Sequence, residues 1–455
     1  MKNYDLIVIG AGRAANLAVK AGKLGKKVAI IEKSKLGGTC PNRGCVPSKL
    51  IIGYAHVARA IKESERHFID STINNIDINK IFEETNNYVS KIDPRYESRF
   101  NENVTVYRGS ASFISDKVIE VNDERLSADN ILIATGTRPI KPAHEKAWSS
   151  DDIFPFKKEI PKSITIVGSG FIACELANFF DAVGIKTKLI ARGDKLLSAE
   201  DKDISEIFKE EFTKNVDVSF NTTIKDIKHE NNEFDLVLEN KDGTKVSHKS
   251  EALLYATGRV SNADLLNLEN TNIKTNERGF IKRNEFFETS VSGVYVTGDA
   301  SGENMLQHAA AYEVNYLGKI LYENEPSPLK FKYMPHAVFS DPEVASVGIT
   351  EQKAQESGIN YVASTTNWLA SAKAMSTRLD YPRTKFIINP NTYEILGCHL
   401  IGPESSTMMH QILSVMHIEN DIRHLKDMLY IHPALSEAIL PAAVQAVIEV
   451  EKYNN

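Results

Sequence analysis

Two cysteines near the start of the chain, Cys40 and Cys45, are of a type and spacing that could do redox chemistry. Pro41 and Gly44 lie between them and help the backbone to bend, which would let the two thiols close a disulfide. The apolar periodicity of residues 50–61 predicts a helix directly afterwards. Cys45 is therefore expected near a helix start, where the positive end of the helix dipole stabilises a thiolate.

Metal binding is the competing interpretation of paired cysteines, and it needs two further ligands. The other two of the four cysteines, Cys174 and Cys398, lie far along the chain without ligand-like spacing. They are expected to be buried small hydrophobic residues, and no metal site is predicted. Because four cysteines in 455 residues do not make a secreted disulfide framework, the pair indicates thiol chemistry in a reducing compartment. We therefore predict a cytoplasmic protein.

The composition is that of a globular protein, with 42% hydrophobic and 25% charged residues. At roughly 150 residues per domain, the length predicts about three domains. The net charge of −6, without any block of Lys and Arg, gives no reason to expect a nucleic-acid partner. No run of about 18 uncharged apolar residues predicts a membrane span, and the N-terminus does not resemble a signal peptide.

The elements that must position the cysteines follow a pattern that occurs twice. An apolar strand (residues 5–9) leads to a glycine turn containing Gly10 and Gly12, then to a helix and a second strand. The same order recurs from residue 163, with Gly168 and Gly170 in the turn. In such βαβ units the glycines allow a tight turn and a close approach of the backbone to a pyrophosphate, which the helix N-terminus also attracts. Two dinucleotide sites are predicted.

A second repeated sequence pattern supports the presence of two similar nucleotide-binding units. Residues 130–136 and 252–258 are both apolar strands that end in Ala-Thr-Gly. A third strand with a glycine end, at residues 293–299, is expected to return the chain to the first domain. Pro326 and Pro328 mark a linker, after which short strands and helices alternate as in a separate α+β domain.

The two sites are expected to bind different ligands. Counting seven residues from the glycine before the second strand reaches Glu32 in the first copy and Ala191, followed by Arg192, in the second. A carboxylate there accepts hydrogen bonds from the ribose hydroxyls and repels a 2′-phosphate, which suits FAD. A guanidinium pairs with phosphate, and Lys195 is close in sequence, so the second site is predicted to bind NADPH. The alternative is that Arg192 is a solvated arginine at a strand end.

At this point the chain resembles a known family. Residues 37–49 read Gly-Gly-Thr-Cys-Pro-Asn-Arg-Gly-Cys-Val-Pro-Ser-Lys, and further stretches match at 134–136, 168–175, 297–299, 339–348 and 432–437. Over essentially its whole length the chain is similar to the class I pyridine nucleotide–disulfide oxidoreductases, which include glutathione reductase, dihydrolipoamide dehydrogenase, mercuric reductase and mycothione reductase. Residues 168–173, 256–266 and 430–435 most resemble mycothione reductase.

The resemblance implies an α/β fold with two Rossmann-like domains, for FAD and for NAD(P), and a C-terminal α+β dimerisation domain. The corresponding ranges are an FAD-binding domain at 1–145, an NAD(P)H-binding domain at 146–265, a central segment completing the FAD domain at 266–330, and an interface domain at 331–455. It also implies a homodimer.

Functional residues follow from the same resemblance. Lys49 and Glu175 occupy positions that the family uses for an ion pair near the flavin. His432, with Glu437 five positions on to orient it, is the acid–base residue and acts on the cysteines of the other subunit. The remaining FAD contacts are expected from Thr39, Gly136 and Asp299.

The expected reaction runs from NADPH through FAD to the Cys40–Cys45 disulfide and on to a small disulfide substrate. Cys45 becomes the thiolate beside the flavin, Cys40 attacks the substrate, and His432 protonates the departing thiol.

Two departures from the family pattern stand out. Pro41 and Arg43 both replace residues that are commonly aliphatic in the family. Arg43 could favour a thiolate, contact an anionic substrate, or be a solvated surface arginine. Phe171 stands where several members carry a tyrosine lid over the flavin, so the stacking is kept and the hydroxyl is lost.

Other activities fit the residues less well. An NAD-linked dihydrolipoamide dehydrogenase is the main alternative, and the Ala191-Arg192 pair disfavours it. A mercuric reductase or a large thioredoxin reductase is disfavoured because no metal-binding domain precedes Lys2 and no cysteine follows Cys398. A non-catalytic flavin module is disfavoured by the retained thiols. The sequence does not distinguish mycothiol, glutathione, a histidine-derived thiol and lipoamide as substrates.

Overall fold

A computed structural model describes residues 1–323 and 328–455. The first part of the chain contains β1 (Lys2–Ile9), α1 (Ala15–Lys23), β2 (Val28–Glu32), α2 (Thr39–Arg43), α3 (Cys45–Lys62), α4 (Ile78–Ser90), α5 (Ile92–Glu97), β3 (Val104–Arg108), β4 (Ser112–Ser115), β5 (Val118–Val121), β6 (Glu124–Ile133) and β7 (Thr137–Pro139). The second part contains β8 (Trp148–Ser149), β9 (Ser163–Val167), α6 (Phe171–Ala182), β10 (Lys186–Ile190), α7 (Lys202–Phe212), β11 (Asp217–Ser219), β12 (Thr222–Glu230), β13 (Glu233–Asn240), β14 (Lys245–Ser250), β15 (Ala252–Tyr255) and β16 (Arg259–Ser261).

The remaining elements complete the first region and form the C-terminal one. They are β17 (Val294–Val296), α8 (Gln307–Tyr322), β18 (His336–Val338), β19 (Val344–Gly348), α9 (Glu351–Glu356), β20 (Val362–Asn367), α10 (Ala372–Met375), β21 (Arg383–Ile388), β22 (Ile395–Ile401), α11 (Ser405–Ile418), α12 (Ile422–Asp427) and α13 (Ile439–Asn454).

The first sheet carries the first glycine turn. Its order is β3-β2-β1-β6-β5-β4, and β17 also pairs with β6. Strands β3, β2, β1, β6 and β17 run parallel, while the pairings of β5 with β6 and of β4 with β5 are antiparallel. Leu6 and Val8 pack on one face with α1 and α8, and Ile7 and Ile9 pack on the other, as the alternation of side chains along a strand requires. The predicted return of residues 293–299 to the first domain is confirmed by β17.

The second sheet repeats this plan. Its order is β11-β10-β9-β15-β8, and every pairing is parallel. Helix α6 follows β9 directly, so both predicted βαβ units are confirmed. A three-stranded antiparallel sheet, β12-β13-β14, is attached to this region, and the short pair β16 and β7 joins it to the first region.

The C-terminal region is an antiparallel sheet covered by helices. Its order is β18-β19-β22-β21-β20, and α11 and α13 pack on it through a core that includes Ile412 and Val447. The predicted fold class, two Rossmann-like domains and an α+β domain, is confirmed. The predicted boundaries at residues 145, 265 and 330 stay a prediction, and Pro326 of the predicted linker lies outside the described residues. No helix of the described residues is long and apolar enough to cross a membrane.

Candidate active site

The two nucleotide units meet at a cavity of about 690 Å³ lined by the glycine turn after β1, the cysteine segment and the start of α6. Gly10 has a φ of +99°, and a Cβ on it would lie 2.3 Å from the Ala134 carbonyl oxygen, so only glycine fits. At Gly12 a Cβ would meet only the Cα of Gly38, at 3.9 Å, which leaves room over this turn. Arg13 lines the same cavity, and its buried Nε has no hydrogen-bond partner in the part of the chain that the structure describes. A glycine turn with open space above its backbone, next to the Arg13 guanidinium, fits the pyrophosphate of a dinucleotide such as FAD.

The carboxylate predicted for the first ribose lies at the wall of this cavity. The Oε2 atom of Glu32 accepts the Ala11 N–H at 2.9 Å, and Oε1 accepts the Ser34 N–H at 2.8 Å. These two bonds hold the carboxylate at the end of β2, facing the glycine turn. The position fits the predicted role towards ribose hydroxyls.

The structure gives the equivalent position in the second copy. The N–H of Gly10 donates to the Ile31 carbonyl at 2.8 Å, and the N–H of Gly168 donates to the Ile190 carbonyl at 3.0 Å. The residue after each acceptor is Glu32 in the first copy and Ala191 in the second. The two copies therefore differ in charge at the same point of the βαβ unit, and Arg192 follows as an exposed side chain.

The second glycine turn keeps the geometry of the first. Gly168 has a φ of +144°, and a Cβ there would lie 2.5 Å from the Ala256 carbonyl oxygen. A Cβ on Gly170 would meet nothing within 4 Å. The backbone at Gly170 is thus open to a ligand at the N-terminus of α6.

The cysteine pair lies in the wall of the large cavity together with Thr39. Cys40 belongs to α2, and Cys45 is the first residue of α3, so the helix begins five residues before the predicted one. Pro47 permits this because the backbone N–H groups of a first helical turn have no intrahelical partner. Cys45 consequently stands at the positive end of an 18-residue helix.

The two thiols have different acidities. A hydrogen bond from the Cys40 thiol, helped by the Lys49 ammonium and opposed by burial, lowers the pKa of Cys45 to about 7. The same hydrogen bond, with burial, raises the pKa of Cys40. When both sulfurs are reduced, Cys45 is therefore the first to lose its proton, and Cys40 stays a thiol.

The predicted ion pair lies beside them. Lys49 Nζ contacts both carboxylate oxygens of Glu175, at 3.0 and 2.8 Å, and the Glu175 side chain is 5% exposed. The backbone N–H of Phe339 donates to Glu175 at 2.9 Å, and the Phe339 ring lies 4.6 Å from the Lys49 ammonium. The Lys49 side chain, which comes from α3, is therefore held at the cavity by contacts with α6 and with the segment after β18.

A charged cluster lies beyond Gly136, which lines the cavity and has a φ of +64°. The Thr137 hydroxyl donates to Asp299 at 3.0 Å, and Arg259 Nε donates to that hydroxyl at 2.8 Å. Burial raises the pKa of Asp299. Sequence reasoning assigned no role to Arg259, although its place directly after the second Ala-Thr-Gly was a usable signal.

Arg43 also lines the cavity. Its guanidinium lies 3.5 Å from the Asp151 carboxylate, the other oxygen of which is buried without a hydrogen bond in the described residues. Asp151 comes from the start of the second nucleotide unit. Sequence reasoning did not single out this acidic partner.

The predicted acid–base pair is formed but lies elsewhere. His432 Nδ1 and Glu437 Oε1 are 2.8 Å apart, and the His432 side chain is 72% exposed. Leu429 and Ile431 beside it are 97% and 80% exposed. Within one chain, then, the structure does not bring His432 into the cavity wall that holds the cysteines.

The other cysteines behave as expected, since Cys174 and Cys398 are both fully buried. Within residues 1–323 and 328–455, no group of three or more His, Cys, Asp and Glu side chains could hold a metal ion.

Comparisons with known proteins agree with this site. The family model described as pyridine nucleotide-disulphide oxidoreductase matches residues 4–313, and that of its dimerisation domain matches residues 334–443. A dihydrolipoyl dehydrogenase of Buchnera aphidicola subsp. Acyrthosiphon pisum (strain APS) is 32% identical over 96% of this chain and 94% of the relative. A mercuric reductase of Staphylococcus aureus is 28% identical over 99% of this chain and 84% of the relative.

A solved structure gives the same picture at the level of the fold. The copper(II) complex of RclA, an HOCl-induced flavoprotein disulfide reductase from Escherichia coli, has a TM-score of 0.86 at 25% identity and covers 98% of this chain and 99% of its own. The chain belongs to the pyridine nucleotide-disulphide oxidoreductase family. It is thus an FAD-dependent oxidoreductase acting on sulfur groups, and its dimerisation domain indicates a homodimer. The particular likeness to mycothione reductase stays a prediction.

Proposed function

We propose that this protein is a reductase that uses NADPH, through FAD and the Cys40–Cys45 disulfide, to reduce a low-molecular-weight disulfide. The observation that carries the choice of NADPH is the charge difference between Glu32 and the Ala191-Arg192 pair at equivalent strand ends. A 2′-phosphate has a charge of about −1.5 to −2 at neutral pH, so it is repelled by a carboxylate and attracted by a guanidinium.

The dithiol form supplies the chemistry of the substrate step. FAD, which the glycine turn at Gly10 and the Arg13 side chain would hold, would supply the chemistry that moves two electrons from the nicotinamide to the disulfide. Breaking the S–S bond leaves Cys45 as the thiolate and Cys40 as the thiol, in the order of acidity that their surroundings set. Lys49, held by Glu175, keeps a positive charge close to that thiolate.

Cys40 then acts as the nucleophile. It loses its proton to the imidazole of the partner subunit's His432 and attacks one sulfur of the substrate, which forms a mixed disulfide and releases one thiolate. The imidazolium of the partner subunit's His432 protonates that thiolate. The Cys45 thiolate finally attacks the Cys40 sulfur of the mixed disulfide, which restores the Cys40–Cys45 disulfide and releases the second product as a thiolate that takes a proton from solvent.

The exposure of His432 supports a site shared between subunits. Glu437 fixes the ring by accepting from Nδ1, which leaves Nε2 free to carry the exchanged proton. Leu429 and Ile431 beside it are apolar and exposed, as expected of a surface that a second subunit covers. We place this reaction in the cytoplasm, where free thiols are maintained.

A second candidate is favoured by the relatives themselves. The Buchnera relative is a dihydrolipoyl dehydrogenase, and two Bacillus subtilis relatives at 30% identity carry the same name. This candidate would oxidise a dithiol with NAD. It differs from the proposed function in the nucleotide and in the direction of the reaction.

Steady-state kinetics separate the two. We expect the purified holoenzyme to oxidise NADPH in preference to NADH when given a panel of disulfides that includes glutathione disulfide, mycothiol disulfide, disulfides of histidine-derived thiols and lipoamide. Cys40→Ser and Cys45→Ser should each abolish this reduction. A wild-type enzyme that uses NAD and dihydrolipoamide efficiently and NADPH poorly would replace the proposed function by the second candidate.

A further inference from the structure

Arg192 forms part of the wall of a second cavity, of about 350 Å³, at the carboxyl end of β10. The other walls come from the segment after β11 and from the end of β13, and the residues are Asn221, Thr223, Glu239, Asn240 and Lys241. Two backbone bonds fix this arrangement: the Asn221 N–H donates to the Gly193 carbonyl at 2.9 Å, and the Thr222 N–H donates to the Ala191 carbonyl at 3.1 Å. The end of β10 is thereby tied to the start of β12.

The hairpin between β13 and β14 brings a second cation to this place. Thr222 pairs with Asn240 in the sheet, and its hydroxyl donates to the Asn240 side-chain oxygen at 3.0 Å. The Gly243 N–H donates to the Asn240 carbonyl at 2.9 Å, which closes a tight turn over residues 240–243. Lys241 lies in this turn, at the rim of the cavity that holds Arg192.

The balance of charge in the cavity is positive. Glu239 is its acid, and that carboxylate is already paired with Lys225 at 2.9 Å and Lys245 at 3.9 Å. Arg192 and Lys241 are both exposed, and no carboxylate of the described residues lies within 4 Å of either charged group. Two unpaired cations thus face one polar cavity, at the strand end where a ribose is bound in βαβ units.

We propose that Lys241 and Arg192 together bind the 2′-phosphate of NADPH, with the Asn221 and Thr223 side chains as hydrogen-bond donors. This assignment rests on the proposed NADPH-dependent function and adds a specificity-determining residue to it. A phosphate dianion has enough oxygens for both cations, and NADH offers neither of them a charged partner. Lys241 should therefore affect only the phosphorylated nucleotide.

The test compares Lys241→Ala, Lys241→Arg and Arg192→Ala with Lys249→Ala in the holoenzyme. Lys249 is the matched control because it lies on the same hairpin, pairs with Glu233 at 3.3 Å and does not line the cavity. We expect Lys241→Ala to raise the KM for NADPH about three- to ten-fold and to leave the KM for NADH unchanged, as for a single exposed charge contact. Lys241→Arg should keep the wild-type values, and the effect should shrink at high salt.

Calorimetry with 2′,5′-ADP and with 5′-AMP gives a second readout that does not depend on turnover. Lys241→Ala should weaken the binding of 2′,5′-ADP and not that of 5′-AMP. If Arg192→Ala impairs both the KM for NADPH and 2′,5′-ADP binding while Lys241→Ala impairs neither, the role of Lys241 is refuted and the proposed function stands. If the wild-type enzyme prefers NADH and binds both probes equally, the proposed function is refuted and this assignment with it.

Discussion

Cys40 and Cys45 have different surroundings, although only four residues separate them. Cys45 accepts a hydrogen bond from the Cys40 thiol, has Lys49 one helical turn further on and begins α3, and all three features favour its thiolate. Cys40 lies outside that helix, and its thiol donates to Cys45. At the scale of single residues, these surroundings therefore make Cys45 the more acidic of the two thiols.

The acidity of Cys45 gives a pH dependence with a definite sign. A thiolate is present above its pKa and is lost as the pH falls below it, so alkylation of reduced holoenzyme by iodoacetamide should occur at Cys45 and should increase through a pH of about 7. Mass spectrometry of the labelled peptide identifies the sulfur. Lys49→Met should move the midpoint upwards, since it removes a positive charge. Equal labelling of Cys40 and Cys45 at every pH would contradict the assignment.

At the scale of elements, the two βαβ units share a geometry and differ in the charge at the end of their second strand. Gly10 and Gly168 both have a positive φ, and each lies so close to a carbonyl oxygen that a side chain cannot be added without moving backbone. The two units hence impose the same turn at two places in the chain. Because we expect the two units to bind different dinucleotides, damage to one turn should be separable from damage to the other.

This separation can be measured with alanine substitutions. Gly10→Ala should reduce the FAD content of the purified protein, because the new Cβ would lie 2.3 Å from the Ala134 oxygen. Gly168→Ala should leave the FAD content unchanged and raise the KM for NADPH about ten-fold or more, as misplacement of a bound reactant does. Gly53→Ala is the control, since Gly53 is exposed in α3 and a Cβ there meets nothing within 4 Å. Loss of FAD in the Gly168 variant would argue against independent turns.

At the scale of the whole molecule, buried charges join the second nucleotide region to the C-terminal sheet. Lys385 of β21 is 1% exposed and pairs with Asp201 at 2.8 Å, Asp203 at 2.6 Å and Glu351 at 2.5 Å. Asp201 is fully buried and also caps α7. These partners, with burial opposing them, raise the pKa of Lys385, which stays charged.

Removing this lysine should destabilise the protein strongly. Lys385→Met leaves the buried Asp201 carboxylate without its cation, a change that costs about 3 to 5 kcal/mol in comparable buried pairs. The midpoint of thermal unfolding should fall accordingly. Lys353→Met is the matched control: its pair with Glu356 is more than 60% exposed on both sides, so a change below about 0.5 kcal/mol is expected. Equal midpoints for the two variants would show that the cluster contributes nothing.

The proposed sharing of the active site between subunits leads to a second prediction at this scale. Cys45→Ser and His432→Ala homodimers should both be inactive with disulfide substrates, because each lacks one part of every site. When equal amounts of the two variants are refolded together, about half of the dimers are mixed, and one of the two sites in each mixed dimer is complete. About a quarter of wild-type activity should therefore return. Activity that stays absent in verified mixed dimers would place the acid–base residue of each site within its own subunit.

Much of the site could be predicted from the sequence because local motifs determine local backbone. The strand, the glycine turn and the helix of each unit are formed by residues that follow one another in the sequence. Both nucleotide units, and the difference in charge between Glu32 and Arg192, could therefore be predicted from neighbouring residues alone. The exceptions arise where distant segments meet. Asp151 beside Arg43 and the Phe339 N–H on Glu175 have no counterpart in any short stretch of sequence.

The sequence by itself predicted the cysteine pair, the two glycine turns and the opposite charges at their strand ends, because each depends on residues within one supersecondary unit. Only the tertiary structure decided that Lys241 lines the same cavity as Arg192 and that His432 lies outside the cavity wall that holds the cysteines of its own chain. Those outcomes depend on how separate sheets and hairpins pack, and packing is set by many weak contacts between residues far apart in the chain.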